Sequence, residues 1–308
     1  MSPAATRAAA RATNRHGSVP AIERYCYPPS PLRIVAGMTS SSRTDRVDFS
    51  RARFLPEVEL VSVAYRDRSF PEHSHDEYVI GAITSGAERL IVAGKTWLAE
   101  AGSVLRLHPG EVHANASLGP DELRYAVLYV PRATLLGHFG MARDLGFASP
   151  VVRNARLHRA VCQTHAILAS SSAGKLAQES AMGALAHIIG ARPARQPAAA
   201  PPAVIERARR YIDDHLFEDF GLSDLSRLTG LSAFHLVRTF KKAVGLSPVA
   251  YRNQRRIMAA RRRLVDGEPT AQIALDLGFA DQSHFTRHFQ RLVGVSPQRY
   301  ARGIGGAG

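Results

Sequence analysis

The chain has 308 residues, a length that allows about two domains, each large enough to bury its own core. Its 40 Lys and Arg against 26 Asp and Glu give a net charge of +14, which favours a polyanionic partner. Two cysteines, Cys26 and Cys162, are too few for a disulfide framework, a zinc finger or an iron–sulfur cluster. No segment approaches the about 18 apolar residues of a membrane span. These features predict a cytoplasmic protein with no membrane partner.

The composition changes several times along the chain, and each change marks a predicted region. Short apolar runs such as VELVSVAYR, EYVIGAIT and LRYAVLYVP, separated by Gly and Pro turns, predict a β barrel or sandwich. Apolar residues at spacings of three and four then predict two helices. The resulting division is a basic, unstructured segment 1–53, a barrel 54–148, a helical pair 149–190, a Pro/Ala linker 191–203, a helical domain 204–302 and a flexible tail 303–308.

The last hundred residues carry clear signals for helix ends. Ser or Asp occurs where helices should begin, twice directly before a Pro, and Gly occurs where they should end. We expect about seven short helices and no strands in this region. The predicted N-caps are Ser223, Ser232, Ser247, Asp281 and Ser296, and the predicted stops are Gly230, Gly245, Gly267, Gly278 and Gly294.

This helical region contains an internal repeat. The segment GLSAFHLVRTFKKAVGLSPVAY (230–251) matches GFADQSHFTRHFQRLVGVSPQRY (278–300), with one residue gained near Asp281. Each copy follows a short helix, LSDLSRLTG or AQIALDLGF, so each predicts a helix, a tight turn and a second helix. The repeat therefore predicts two helix-turn-helix units.

Helical spacing separates the buried face of each second helix from its free faces. In the first unit, Leu236, Phe240 and Val244 should pack on the preceding helix. In the second unit, Phe285, Phe289 and Leu292 should do the same. Arg pairs with guanine and Gln with adenine in the major groove, so polar residues on the free faces are candidate base readers. The residues left free by this spacing are Phe234, His235, Arg238 and Lys242 in the first unit and Gln282, Ser283, Thr286, Arg287 and Arg291 in the second.

A long helix from Pro248 to about Val265 should join the two units and fix their separation. It carries six arginines, of which three are consecutive and point in different directions around the helix. We expect one or two of the six to contact DNA phosphate and an acidic residue such as Asp266 to pair with others. The six are Arg252, Arg255, Arg256, Arg261, Arg262 and Arg263.

Over residues 204–302 the sequence resembles the AraC family of bacterial transcription regulators, whose pattern is matched by LGFADQSHFTRHFQRLVGVSPQRYAR. The resemblance implies two recognition helices in adjacent major grooves, and double-stranded promoter DNA, RNA polymerase and a second copy of the chain as partners. It implies no enzymatic activity and no cofactor. By position, the base-facing residues would be Phe234, His235, Val237 and Arg238, then Gln282, Ser283, Thr286 and Arg287.

The barrel region carries a histidine pattern of its own. His73 and His75 alternate along a strand and so share a face, and His113 follows a Pro-Gly turn. This pattern resembles the two half-motifs of the cupin barrel and the effector domain of AraC-type regulators. The resemblance implies that the three histidines converge and contact a small organic effector. Tyr78 and Trp97 are candidates to stack on the effector, and the alternative is that they are core residues of the barrel.

Other interpretations of these residues remain open at this stage. Three histidines can bind Zn, Fe or Mn, but metal cupins usually add a Glu a few residues later, and Glu77 lies only two residues past His75. The histidines could also be structural, and the helical pair could either form a dimer interface or simply cover the barrel. For the whole chain, the alternatives are a metal-dependent cupin enzyme localised on nucleic acid and an architectural protein that binds DNA without sequence choice.

Overall fold

A computed structural model describes residues 45–139, 144–190 and 201–305. Within these ranges the chain forms an N-terminal β barrel with two helices, followed by a helical domain. No helix in the described part combines the length and apolarity required to cross a membrane. The strands are β1 (Arg46–Ala52), β2 (Leu55–Tyr65), β3 (Ser69–His73), β4 (Tyr78–Ser85), β5 (Ala87–Val92), β6 (Lys95–Glu100), β7 (Ser103–Leu107), β8 (His113–Leu118), β9 (Leu123–Val130) and β10 (Val151–Arg153).

The strands form two antiparallel sheets that face each other. The larger has the order β1-β2-β9-β4-β7-β10 and the smaller β3-β8-β5-β6. Alternate residues of each strand point into the space between the sheets, as the period of two requires. Val63 and Val127 of the larger sheet and Leu90 and Val92 of the smaller one belong to the same buried cluster. The predicted cupin-like barrel is confirmed.

Two helices, α1 (Ala155–Ala169) and α2 (Lys175–Gly190), cover the outer face of the larger sheet. Val161 of α1 and Leu185 of α2 are fully buried against Ile80 and Leu128, which point outward from their strands. The predicted helical pair is confirmed, although Leu176, expected on its apolar stripe, is 78% exposed. The pair therefore completes the barrel's outer core.

The C-terminal domain is entirely helical in the described residues. Its helices are α3 (Ala203–Asp214), α4 (Leu222–Thr229), α5 (Ala233–Val244), α6 (Pro248–Val265), α7 (Thr270–Asp276), α8 (Gln282–Val293) and α9 (Pro297–Gly305). The seven predicted helices are confirmed, and α6 has the predicted bounds. The pairs α4–α5 and α7–α8 are the two helix-turn-helix units.

The helix ends follow the predicted signals with one exception. Ser232 and Asp281 accept hydrogen bonds from backbone N–H groups in the first turns of α5 and α8. Gly245 ends α5 with a φ of +88°, a left-handed conformation that glycine adopts without strain. The prediction for Ser223 is wrong, because α4 begins at Leu222. Gly221 is its N-cap, and its N–H donates to Asp224 at 2.9 Å.

The structure also changes three predicted boundaries. Residues 46–52 were expected to be unstructured but form β1, which pairs along β2. Residues 151–153 were expected in the helical pair but form β10, which pairs with β7. Residues 303–305, expected in a flexible tail, form the end of α9. Gly303 lets α9 approach β1 closely, because a Cβ there would lie 2.6 Å from the carbonyl oxygen of Phe49. The remaining expectations for 1–44, 191–200 and 306–308 lie outside the described residues.

The two helix-turn-helix units are packed differently. The first has a core of its own, in which Leu236 and Phe240 pack against Ile212 of α3. The core of the second, including Phe285 and Phe289, is continuous with the interior cluster of the barrel. Both units therefore contact the N-terminal domain, the first through Val112 at the edge of its core and the second through a continuous core.

Candidate DNA interface and ligand site

The two recognition helices present free polar faces, as their spacing predicts. Phe234 is 79% exposed, unusual for a large apolar side chain, and lies at the start of α5. The fully buried residues of each helix lie four apart, which leaves one face of each helix exposed. Of the predicted DNA-binding residues, Phe234, His235, Arg238, Lys242, Gln282, Ser283, Arg287 and Arg291 are exposed, and Val237 and Thr286 are half-buried.

The units match each other in detail. In each, a polar N-cap precedes the recognition helix and a left-handed glycine ends it, Gly245 in one and Gly294 in the other. The turn of the second unit is one residue longer, between Gly278 and Asp281. Asp281 also lies close enough to Arg287 for the arginine's charge to contribute to the lowered pKa of its carboxyl group, whose main cause is the hydrogen bond from the His284 N–H.

Most arginines of α6 are directed into the protein. Arg256 is buried and donates to the carbonyl oxygens of Leu216 and Gly278, both at 2.9 Å. Desolvation, with some repulsion from Arg252, lowers the Arg256 pKa to about 10, so it remains charged at pH 7. The internally bound arginines are Arg252, Arg255, Arg256, Arg261 and Arg263.

Arg262 is the exposed arginine of this helix. Arg263 is paired with Glu268 and Asp276, so these residues take the part expected of Asp266. The arginine run therefore serves mainly to hold the domain together and to attach it to the barrel.

The three predicted histidines converge inside the barrel. The ligand atoms of His73, His75 and His113 lie within 4.8 Å of one another. The ring centroids of His73 and His113 are 4.2 Å apart, and His75 is 5.0 Å from the first and 5.3 Å from the second. Burial lowers the pKa of all three, which leaves the imidazoles neutral at pH 7.

Backbone carbonyl groups orient two of these rings. His73 Nδ1 lies 2.7 Å from the Pro71 oxygen and His113 Nδ1 lies 3.0 Å from the Glu111 oxygen. A carbonyl oxygen only accepts, so each Nδ1 donates its proton and each Nε2 keeps a lone pair. His75 Nδ1 is buried with no hydrogen-bond partner. The cluster therefore presents unused nitrogen lone pairs within a small space.

The two predicted stacking aromatics lie elsewhere. Trp97 is half-buried on β6, opposite Leu90 of β5, and β5 separates it from the strand of His113. The structure contradicts the placement of Tyr78 beside the histidines. Its ring packs 6.0 Å from that of Phe147 on the outer face of the sheet, and its hydroxyl donates to Asp144.

Several buried polar residues of the barrel were not anticipated. Glu88 is 1% exposed, accepts a hydrogen bond from Asn115, and leaves Oε2 without a partner. Desolvation raises its pKa to about 7. Tyr65 and Tyr125 contact each other through their hydroxyls at 3.2 Å. Alternation could have indicated Glu88, because it lies in phase with the inward-facing residues of its strand.

A small cleft lies where the barrel meets the DNA-binding domain. His73 and Tyr129 of the barrel line it together with Gln254 and Arg261 of α6. The His75 ring is 4.8 Å from that of Tyr129, so the cleft adjoins the histidine cluster. A ligand at the histidines would therefore lie next to the helix that joins the two recognition units.

Fold and site together define a DNA-binding protein with a ligand-binding barrel. Comparison with known families agrees. The AraC-like ligand binding domain family matches residues 55–189 and a helix-turn-helix domain family matches residues 225–303, so that together they span more than half of the chain. The chain belongs to the AraC family of transcriptional regulators, with an N-terminal ligand-binding domain and a C-terminal helix-turn-helix domain.

Individual relatives span both domains. The HTH-type regulator YbfI of Bacillus subtilis, itself uncharacterized, is 27% identical over 229 residues, which are 70% of this chain and 82% of that protein. The arabinose operon regulatory protein of Salmonella typhimurium is 25% identical over 243 residues, 73% of this chain and 84% of that one. The structure of apo ToxT from Vibrio cholerae aligns with a TM-score of 0.52 at 14% identity, covering 80% of this chain and 98% of ToxT, and bears on the fold alone.

Proposed function

We propose that this regulator recognises specific promoter DNA by placing α5 and α8 in adjacent major grooves. The observation that carries the proposal is the matched pair of recognition helices. Each is capped at both ends, buries an apolar row and leaves an arginine exposed at the corresponding position, Arg238 or Arg287. The joining helix α6 is rigid and internally bonded, so the spacing of the two readers is fixed.

The exposed side chains suit direct reading of bases. Arg238 and Arg287 can each donate two hydrogen bonds to guanine, and Gln282 can pair with adenine. Val237, half-buried and apolar, suits the methyl group of thymine. His235, Ser283 and Thr286 supply further donors and acceptors, Phe234 an exposed apolar contact, and Lys242 and Arg291, later in their helices, are assigned to phosphate.

A small organic effector in the barrel would modulate this activity. His73, His75 and His113 offer neutral imidazoles to it. Trp97 packs against the apolar core of the same barrel, two strands from that of His113. An effector shifts the equilibrium between two arrangements of the domains only as far as its affinity for the two differs. The cleft beside Gln254 and Arg261 supports this role, because it joins the effector site to α6.

Further partners and the cellular setting follow from this function. We propose a homodimer as the functional unit, supported by the exposed Leu176 on α2, and RNA polymerase as the partner at the promoter. Promoter binding places the protein in the bacterial cytoplasm and requires no catalysis. The relatives that span both domains are regulators, which favours this function over that of a cupin enzyme.

Selection of bound sequences from a random DNA library, using the full chain, tests the proposal. The expected product is a motif with two conserved segments, about 10 base pairs apart from centre to centre. Arg238→Ala should remove the preference at one segment and Arg287→Ala at the other. Recovery of random sequence with both the wild type and the variants would show binding through phosphates alone, as expected of an architectural protein.

A further inference from the structure

The histidine cluster has the dimensions of an ion site. With ring centroids 4.2 to 5.3 Å apart, the three imidazoles leave no space between them for an organic molecule. Zinc–imidazole bonds are about 2.0–2.1 Å long, so three ligand nitrogens around one ion lie roughly 3–4 Å apart. Ligand atoms within 4.8 Å of one another need only a small contraction to reach that geometry.

The hydrogen bonds of the cluster also suit an ion. The Nδ1 atoms of His73 and His113 donate to backbone carbonyl groups, which leaves Nε2 as the ligand atom and fixes each ring. His75 adds a buried nitrogen without a partner, which would otherwise be an unexplained cost. Imidazole nitrogen is a preferred ligand of zinc, iron, nickel and copper. We propose that His73, His75 and His113 bind one divalent transition-metal ion.

Three protein ligands leave the ion an open position. Glu77, in the region where a fourth ligand could be expected, is half-buried and does not belong to the cluster. A tetrahedral ion with three histidines therefore has one position for water or for a donor atom of the organic effector. The assignment of this open position to the effector rests on the proposed function, in which the barrel binds a small organic effector.

The segment that carries His73 and His75 contacts the DNA-binding domain through the residues in between. Ser74 lies between the two histidines and bonds Gln254 of α6 three times. Its N–H donates to Gln254 Oε1 at 3.0 Å, and Gln254 Nε2 donates to its carbonyl oxygen at 3.0 Å and its Oγ at 2.7 Å. Gln254 is buried, so these bonds are shielded from water.

Two ion pairs flank this contact. Lys241 of α5 bonds Glu72 at 2.9 Å, and Arg255 of α6 bonds Asp76 at 3.0 Å. Lys241, Glu72 and Asp76 are about half exposed in these pairs and Arg255 is partly buried, so each pair contributes little energy. The buried Gln254 therefore makes the main contact with the segment that carries His73 and His75. Drawing His73 and His75 towards an ion must move Ser74 between them. The structure thus assigns Gln254 as the positioning residue that couples the ion to the recognition helices.

The test uses the full chain freed of metal by a chelator and titrated with Co²⁺, whose visible absorption reports its ligands. One equivalent should bind to the wild type and to the control His187→Ala, whose histidine is exposed on α2. His113→Ala and His75→Ala should weaken binding by about 100-fold or more. Failure of the wild type to bind one equivalent, or equal binding by folded His113→Ala and His75→Ala, would overturn the ion site.

Coupling is measured as DNA affinity with and without bound Zn²⁺. The wild type should change its affinity for its selected site by about fivefold or more, the usual range of such coupling. Gln254→Ala should bind the ion as tightly as the wild type does. Its DNA affinity with Zn²⁺ should differ from that without Zn²⁺ by less than about twofold. An unchanged wild-type affinity would refute the coupling. Loss of all sequence-specific binding with intact ion binding would instead refute the proposed function.

Discussion

Glu59 of the barrel and Arg261 of the DNA-binding domain form an ion pair that is about nine-tenths buried on both sides. Tyr300 completes it, donating to Glu59 at 2.8 Å and accepting from Arg261 at 3.1 Å. Desolvation alone would raise the Glu59 pKa, but Arg261 and Tyr300 outweigh it and the net shift is downward. The carboxylate therefore remains charged at pH 7 and holds β2 to α6 and α9.

Removing one charge of this pair should destabilise the docked structure strongly. Glu59→Gln leaves Arg261 buried without its counter-charge and should cost about 3 kcal/mol in the free energy of unfolding. Glu57→Gln, at an exposed position of the same strand, is the matched control and should cost little, because the glutamine oxygen can still accept from Thr134. Urea unfolding at pH 7 measures both. Equal effects of the two substitutions would show that the ion pair with Arg261 does not stabilise the folded protein.

Glu88 should make the stability of the barrel depend on pH. Its folded pKa of about 7 lies above the ordinary value of 4.5, so its stabilising effect is complete below pH 4.5 and is lost as the pH rises through 7. Glu88→Gln keeps an oxygen for Asn115 and does not titrate. Relative to the wild type, the variant should gain about 2 kcal/mol in unfolding free energy between pH 5 and pH 8. Parallel pH curves for the two proteins would contradict this account.

The arginines of α6 should differ in their effect on DNA binding. Arg262 is exposed, whereas Arg263 is held by Glu268 and Asp276. Arg262→Ala should weaken the binding of specific and of random DNA by the same factor. It should also reduce the slope of log affinity against log salt concentration by about 1. Arg263→Ala should leave that slope unchanged. A salt titration of binding distinguishes them, and equal slopes for both variants would refute the distinction.

Local signals in the sequence were sufficient to predict the helices of the C-terminal domain and their order. Caps and stops such as Ser232 and Gly294 specify helix ends through bonds made within a few residues, so the repeat could be placed without knowledge of the fold. The spacing of His73 and His75 indicated that they lie together, but the predicted strand is wrong, because β3 ends at His73 and His75 lies in the connection to β4. Tyr78 begins β4 after this connection, so the alternation of β3 does not determine its face.

Other features depend on contacts between distant parts of the chain. Glu59 and Arg261 are 202 residues apart, and no local pattern shows that one neutralises the other. The sequence therefore predicted that only one or two arginines of α6 contact DNA, but it could not show which partners hold the others inside the protein. β1 was missed because its residues become ordered only by pairing with β2 and packing under α9, as the contact of Phe49 with Tyr300 at 5.1 Å shows.

A footprint on the selected DNA site, with Arg238→Ala and Arg287→Ala beside the wild type, tests the central claim most directly. We expect protection of two major-groove segments about one helical turn apart, and each substitution should abolish protection of one segment and cost about 1–3 kcal/mol of binding. Diffuse protection that both variants retain, and that modest salt removes, would contradict base reading by α5 and α8.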